Sequence, residues 1–507
     1  MGLLNKIISL FSTGRLKEID YFKSKPEAVQ EKMFKYLLKE GQYTVFGKDY
    51  NFSDFNFQYD AFKQNVPVSN YEQLKPYIEK VIKGEKNVLW NTPIKWMAKS
   101  SGTTDSRSKY IPVSKQSLED CHFRGGKDVI SIHYREHPKS DFLSGKGLAI
   151  GGSREENKKT TDQKYYGDVS AVIINNLPIW ANLKKTPDKA TALMPEWEEK
   201  LEKMAQLSIN ENVTSLSGVP SWTLVLMKKV LEITGKSNLI EVWPNLELFT
   251  HGGVNFSPYR KEFRRLIPSP KMKYREVYNA SEGFFAMQDD LTRDDMLLML
   301  DYGVFYEFIP VAQADNRFPD SININDVELE KNYAMVISTN GGLWRYLIGD
   351  TVKFTSKYPH RIKITGRTKH FINAFGEELI VDNTEKAIEA ASGKTNAVIK
   401  DYTVAPIYMD KDNTGAHEWI IEFEKKPKNI EEFRVYLDDT LKEINSDYDA
   451  KRYRNYNLTM PIIHVAKENL FYSWLKSKNK LGGQNKVPRL SNNRDYIEDL
   501  LNLNQQL

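Results

Sequence analysis

Around Gly102 the chain gathers hydroxyls, Ser100, Ser101, Thr103 and Thr104, with Lys109 behind them. A phosphate needs several hydrogen-bond donors on a short backbone, a glycine that lets the chain approach and a compensating cation, and this stretch holds all three. Three later stretches carry related chemistry. Phe249, Thr250, His251, Gly252 and Gly253 read as a strand running into paired glycines, where a flat ring such as adenine lies against bare backbone. In the run Tyr278, Asn279, Ala280, Ser281, Glu282, Gly283, an aromatic ring, a hydroxyl and a carboxylate crowd one turn, and Glu282 offers the oxygen that Mg²⁺ prefers. Asp350 follows Gly349 at a strand end, where an acidic side chain accepts hydrogen bonds from both ribose hydroxyls, and Arg367 comes soon after to support the same sugar. Each stretch has a plainer alternative: a polar loop, a tight turn before Pro258, an exposed turn glutamate, a turn aspartate with a solvated arginine.

Other constellations compete. His133, Glu136 and His137 fit the inverted zinc-peptidase spacing H-x-x-E-H, with ligands and a base on one helical face. Pro138 ends that helix at once, and no second acidic helix supplies a third ligand. Cys121 lacks an adjacent base and reads as a buried thiol. Gly145, Lys146 and Gly147 lack the spacing of a P-loop, and no G-x-G-x-x-G fingerprint occurs, which weighs against kinase and dehydrogenase chemistry.

The elements that must position these groups follow from periodicity. Residues 21–39 are amphipathic at helical spacing, and residues 71–83 form a helix ending at Gly84. Residues 147–150, 168–174 and 246–250 read as buried strands, each leading into a polar or glycine-containing turn. Residues 217–235 place Pro220 near a helix start and Gly235 just past its end. This alternation predicts an α/β body with at least partly parallel sheets. Strands prevail from 334 to 365, and Gly366 and Gly376 bracket a basic, aromatic stretch that marks a domain boundary. Beyond it come a helix, two strands including residues 417–424, a helix over 430–444 with Phe433, Leu437, Leu441 and Ile444 on one stripe, and a strand near 460–466. The expected division is a large α/β domain over residues 1–368 and a smaller α+β domain over residues 369–507.

A chain of 507 residues, 40% hydrophobic and 27% charged, has the composition of a globular protein with more than one core. Its 72 basic and 67 acidic side chains, net charge +5, are interleaved rather than gathered into a stripe. That distribution argues against nucleic acid and for a small anionic ligand. Lys480, Lys486 and Arg489 sit among Gly and Asn without aromatic platforms for bases. One cysteine allows no internal disulfide and points to a reducing, cytoplasmic compartment. The first residues are apolar on one side but interrupted by Asn5 and Lys6, with no small-residue cleavage site following. Lys6 also stands where a myristoylation motif wants Ser or Thr. No run approaches a membrane span, so neither membrane nor nucleic acid is an expected partner.

Taken in order, the four stretches resemble the nucleotide-binding motifs of the adenylate-forming superfamily, specifically its GH3 branch of acyl acid amido synthetases known from plant auxin and jasmonate conjugation. The resemblance begins at Phe46-Gly47-Lys48-Asp49-Tyr50, Val66-Pro67-Val68, Tyr71-Glu72 and Gly84-Glu85. It continues through Tyr306-Glu307-Phe308-Ile309-Pro310 to Asn485-Lys486-Val487-Pro488-Arg489, nearly the whole chain. It implies a large adenylate-forming domain in which Ser100, Ser101, Gly102, Thr103 and Thr104 bind the ATP phosphates and Gly252 and Gly253 face adenine. Tyr278, Ala280, Ser281 and Glu282 would line the base, the α-phosphate and Mg²⁺, and Asp350 would hold ribose with Arg367 beside it. Lys486 matches the lysine that such enzymes bring to the acyl-phosphate during adenylation. Asp105, Ser106 and Arg107 depart from the usual glycine and small residues, which bears on the outer phosphate contacts. By analogy with the branch, residues 121–134 and 219–222, Trp222 among them, supply walls of the acyl pocket. Arg124 there either meets a substrate carboxylate or is a solvated helix charge.

The implied activity joins a small carboxylic acid to an amino acid amine. A carboxylate is a poor electrophile, and coupling it to AMP creates a good leaving group. Rotation of the small domain about the segment near Lys369 would then withdraw Lys486 and admit the amine. Two readings stand beside this one: coenzyme A as the acceptor of the same adenylate, and a nucleotide-binding protein without turnover.

Overall fold

The structure, a computed structural model, describes residues 3–100, 109–152, 154–155, 164–253, 256–314, 316, 319–368, 371–372, 374, 377, 379–408, 415–452, 458–478, 480–481, 486–491 and 493–507. The apolar period over residues 21–39 is shared by two helices, Leu3–Ser24 and Pro26–Gly41. Pro26 has no N–H with which to continue the first ladder, but its fixed φ suits the first turn of the second helix. The helix Tyr71–Ile82 starts on a capping box between Asn70 and Gln73. It closes at Gly84, whose N–H donates to Val81 O at 3.0 Å at a φ of +91°.

Two compact units divide the chain. The first holds Met1–Gly253, Leu266–Ile348 and Val352–Lys363, and the second Val254–Arg265, Gly349–Thr351 and Ile364–Leu507. Against the boundary read at residue 368, the main chain enters the second unit at Ile364, after lending it two earlier pieces.

In the first unit the strands Lys185–Thr186, Lys146–Ala149, Val213–Gly218, Leu248–His251 and Lys273–Ala280 lie side by side and parallel. From Lys273–Ala280 onward the same sheet turns antiparallel, through Gly283–Met287 and Met296–Leu298, and reaches twelve strands. A second, four-stranded sheet pairs Trp96–Ser100 antiparallel with Lys109–Val113 and parallel with Tyr165–Asp168. The core is aromatic. Trp344, fully buried, stacks on Phe46 at 6.2 Å between ring centres and donates Nε1–H to Leu89 O at 3.0 Å. These layers form the expected α/β body with a partly parallel sheet.

One expected strand is a helix. The apolar run over residues 168–174 predicts a strand, but the strand is Tyr165–Asp168 and a helix runs Val169–Asn175. A short unbroken apolar run such as Val169 to Ile174 has no period that separates a buried strand from a buried helix turn.

The second unit is α+β. Val398–Ile407 and Ala416–Lys425 pair antiparallel, and Ile462–Val465 adds parallel to the latter. Helices Val381–Thr395 and Ile430–Ile444 share one core with this sheet: Phe433, Leu437 and Leu441 are fully buried with Trp419 and Tyr402. Asn429 caps the second helix by accepting from the N–H groups of Glu431 and Glu432. No helix among the described residues is long and apolar enough to cross a membrane.

Candidate functional site

Register aligns the ends of the parallel strands. Ala149 lies opposite Ser217, Ser217 opposite Thr250, and His251 opposite Glu276. The chain therefore leaves each strand at one edge, through Ile150-Gly151-Gly152, Val219-Pro220, Gly252-Gly253 and the turn after Ala280. Open α/β sheets seat ligands at this carboxyl edge. A Cβ added at Gly252 would stand 2.3 Å from Val277 O, and Gly253 has a φ of +83°, so both positions demand bare backbone. Ser281 and Glu282 form the two-residue loop between Ala280 and its antiparallel partner Gly283. The Ser281 Oγ is buried with no hydrogen-bond partner, while Glu282 is half-buried. Tyr278, one strand position from Asn279, is buried with its ring edge-on to Phe285 at 5.0 Å.

Ser100 and Lys109, at the two ends of the hydroxyl-rich stretch, face each other across an antiparallel pair. The inner residues of the stretch, Ser101, Gly102, Thr103 and Thr104, lie outside the described residues. The Lys109 ammonium sits over the Tyr71 ring at 5.6 Å. Arg124 opens the helix Arg124–Glu136 and pairs with Asp120 at 3.6 Å, with Nη1 donating to Asp301 O at 3.4 Å. Gly125 lets that helix close on the strand Gly283–Met287, since a Cβ there would come 2.6 Å from the Phe284 ring. Trp222, on the helix Pro220–Thr234, is buried edge-on to Trp197 at 4.7 Å.

Three of the expected residues meet in the second unit. Arg367 Nε donates to Asp350 Oδ1 at 2.7 Å, and Thr368 N–H donates to Gly349 O at 2.8 Å. Asp350 lies not at a strand end, as its sequence context suggests, but within the strand Tyr346–Lys357. Lys486 feels the same groups. Although the residue as a whole is exposed, its ammonium end is closely surrounded, and burial, then the Arg367 cation, push its pKa down to about 8. Asp350 opposes that shift and Arg489 adds to it.

The competing constellations have other work. His133 Nε2 lies 3.0 Å from Ser140 Oγ, and Glu136 binds the Arg275 guanidinium. Among the described residues no three ligand-type side chains gather in one place. Cys121 is buried, accepts the Phe284 N–H at 3.1 Å, and burial pushes its thiol up to about 12.

Residues 15–272 match the GH3 family N-terminal domain, residues 297–367 the GH3 family central domain and residues 382–495 the GH3 family C-terminal domain. The chain belongs to the GH3 family. This GH3 chain is 20% identical to the indole-3-acetic acid-amido synthetase GH3.3 of Arabidopsis thaliana, over 94% of the chain and 91% of that relative. It is also 20% identical to the 4-substituted benzoates-glutamate ligase GH3.12 of the same plant, over 93% of the chain and 94% of that relative. Among solved structures, a GH3.15 acyl acid amido synthetase superposes with a TM-score of 0.77 over 96% of this chain and 95% of that one, at 18% identity. A 2-hydroxyisobutyryl-CoA ligase in its postadenylation state superposes at 0.60 over 95% and 92%, at 11% identity. The fold is thus that of the adenylate-forming ligases.

Two groups at the carboxyl edge of this GH3 fold escaped sequence reading. Lys200 is buried and donates to Gly151 O at 2.7 Å and Gly152 O at 3.1 Å, and burial pushes its pKa down to about 8. The available signal was the glycine pair after a buried strand, the same pattern that marked Gly252 and Gly253. His122, buried beside Asn279 Oδ1 at 3.1 Å, is pushed by burial down to about 4 and is neutral at physiological pH. Nothing in its spacing pointed there.

Proposed function

We propose that this chain is an ATP-dependent acyl acid amido synthetase that makes an acyl-adenylate, releases pyrophosphate and transfers the acyl group to the amine of an amino acid. One observation carries the reading: all three GH3 domains match in order, in a chain whose relatives over nine-tenths of its length are an acid-amido synthetase and an acid–amino acid ligase. The carboxyl edge supports it, since bare backbone at Gly252 and Gly253 suits a flat base and the unpartnered Ser281 hydroxyl suits a phosphate oxygen.

In the first half-reaction an oxygen of the acid attacks the α-phosphorus of ATP and pyrophosphate leaves. Asp350, held by Arg367, takes the ribose hydroxyls; Ser100, Ser101, Gly102, Thr103, Thr104 and Lys109 take the outer phosphates; Ser281 takes the α-phosphate. Lys486 places its cation against the charge that develops between acid and phosphate. Glu282 is the carboxylate that would hold Mg²⁺, an ion that commonly takes one protein carboxylate and completes its shell with phosphate and water. When bound, that ion supplies positive charge against the phosphate oxygens. Trp222 and Arg124 belong to the acyl side of the site.

In the second half-reaction the amine attacks the acyl carbonyl and AMP leaves with the bonding pair. Residues 369–507 act as the mobile domain that withdraws Lys486 between the two steps. The single buried Cys121 suits a reducing compartment, and a cytoplasmic location is part of the proposal.

The test is acid-dependent ATP–pyrophosphate exchange with a panel of indolyl, benzoyl and aliphatic carboxylic acids, followed by product mass with amino acids or coenzyme A supplied. Exchange with one acid class and an amide product is expected. A thioester in place of an amide, or no exchange with any acid, overturns the proposal.

A further inference from the structure

Three residues after Lys486 the chain is tied down from several sides. Val404 N–H donates to Arg489 O at 2.9 Å, Ser491 N–H donates to Val404 O at 3.1 Å, and Thr403 Oγ1 donates to Pro488 O at 2.6 Å. The segment from Pro488 to Ser491 therefore runs along the edge of Val398–Ile407, joined to it by a single parallel bridge between Leu490 and Val404. The Arg489 side chain reinforces the tie. Its Nη1 donates to the Asp401 carboxylate and, at 2.9 Å, to Tyr402 O, and its guanidinium carbon sits 4.5 Å from the centre of the Tyr402 ring. Its Nε is 3.5 Å from Glu385 Oε1, and Nη2 donates to Tyr259 OH at 3.4 Å.

We propose that Arg489 is the positioning residue for Lys486: it fixes the backbone from which Lys486 reaches the reacting phosphate, and so acts on adenylation through that lysine. The proposal rests on the role assigned to Lys486 above. One guanidinium joins the helix Val381–Thr395 through Glu385, the strand Val398–Ile407 through Asp401 and Tyr402, and the helix Ser257–Leu266 through Tyr259. A planar fork that stacks on a ring while meeting two carboxylates has a geometry that an ammonium cannot reproduce. Glu385 Oε2 has no partner of its own, so Arg489 is also the charge that offsets a buried carboxyl. Lys486 carries a long flexible stem, so the precision of its ammonium depends on how firmly its Cα is held.

A double-mutant cycle on the full chain tests this. Lys486→Ala, Arg489→Lys and the pair are compared in ATP–pyrophosphate exchange with the acid that the panel selects. Arg489→Lys is expected to lower exchange about tenfold while the KM for ATP stays within about twofold, the pattern of a residue that acts in the transition state. Once Lys486 is absent, losing Arg489 should cost nothing further, so the pair matches Lys486→Ala alone. Hydrogen exchange of residues 486–491, which needs no acid, should speed up in Arg489→Lys. Losses that multiply in the pair, wild-type exchange in Arg489→Lys, or unchanged protection of that segment overturns the proposal. Should Arg489→Lys fail to fold, Asp401→Asn loosens the same fork and must show the same non-additivity. If Lys486→Ala itself leaves exchange intact, it is the assignment of Lys486 that fails, and this inference falls with it.

Discussion

Ser281 is buried with its Oγ unpartnered, so Ser281→Ala removes no hydrogen bond from the free protein. An unmade hydrogen bond contributes nothing to folding, and deleting the hydroxyl should leave the melting temperature unchanged or slightly raised. If that hydroxyl serves the α-phosphate, the KM for ATP rises about fivefold, the scale of one neutral hydrogen bond of about 1 kcal/mol. Thermal unfolding and exchange kinetics on the same preparation check both halves. Lys486 gives a second residue-scale outcome. Its pKa is pushed down to about 8, so it is a cation below that pH and neutral above it. A lysine that stabilises phosphate charge must be protonated, so exchange should fall on the alkaline side with a midpoint near that value. Lys486→Arg should move the alkaline limit upward, because a guanidinium does not titrate in this range. A pH profile unaffected by that substitution would remove Lys486 from the step.

At the scale of elements, the decisive contacts are close approaches between strands. Gly252 faces Val277 O so tightly that an added methyl must displace either the turn or the strand Lys273–Ala280. Gly252→Ala should cost about 1–3 kcal/mol of stability, the usual range for overpacking, and weaken ATP binding in parallel. Denaturant unfolding and calorimetric ATP titration measure the two effects, and an unperturbed variant would show that the turn is free to move. Elements with end signals were readable in advance. The helix Pro220–Thr234 has Pro220 at its start and Gly235 at φ +65° at its end, and Ile430–Ile444 has a clear apolar stripe. Elements without such signals were not. The run Val169 to Ile174 is uniformly apolar, and only its place after Tyr165–Asp168 makes it a helix.

For the molecule as a whole, the two units have separate cores. Trp344, Phe46 and Phe52 belong to one cluster of buried side chains, Trp419, Tyr402 and Phe433 to another, and no residue is shared. Independent cores unfold as independent cooperative units. Calorimetry of the full chain should therefore resolve two transitions, and ATP should raise both, since the first unit holds Gly252, Gly253 and Ser281 and the second Asp350 and Lys486. A single two-state endotherm would show instead that the cores are thermodynamically coupled.

The order of the motifs, their residue types and the local caps are properties of short stretches, and the chain alone determined them: the glycine pair at Gly252, the hydroxyl beside Glu282, the glycine before Asp350. Which stretches meet was decided by tertiary structure. Asp350, Arg367 and Lys486 are far apart in the chain and share one electrostatic environment because a hairpin turn and a sheet edge bring them together. Arg489 reads in sequence as one more basic residue among Gly and Asn, and only folding surrounds it with Asp401, Glu385, Tyr402 and Tyr259. The physical reason is range. Turn chemistry and periodicity act over a few residues, whereas strand register and burial set contacts between residues whose separation along the chain carries no signal.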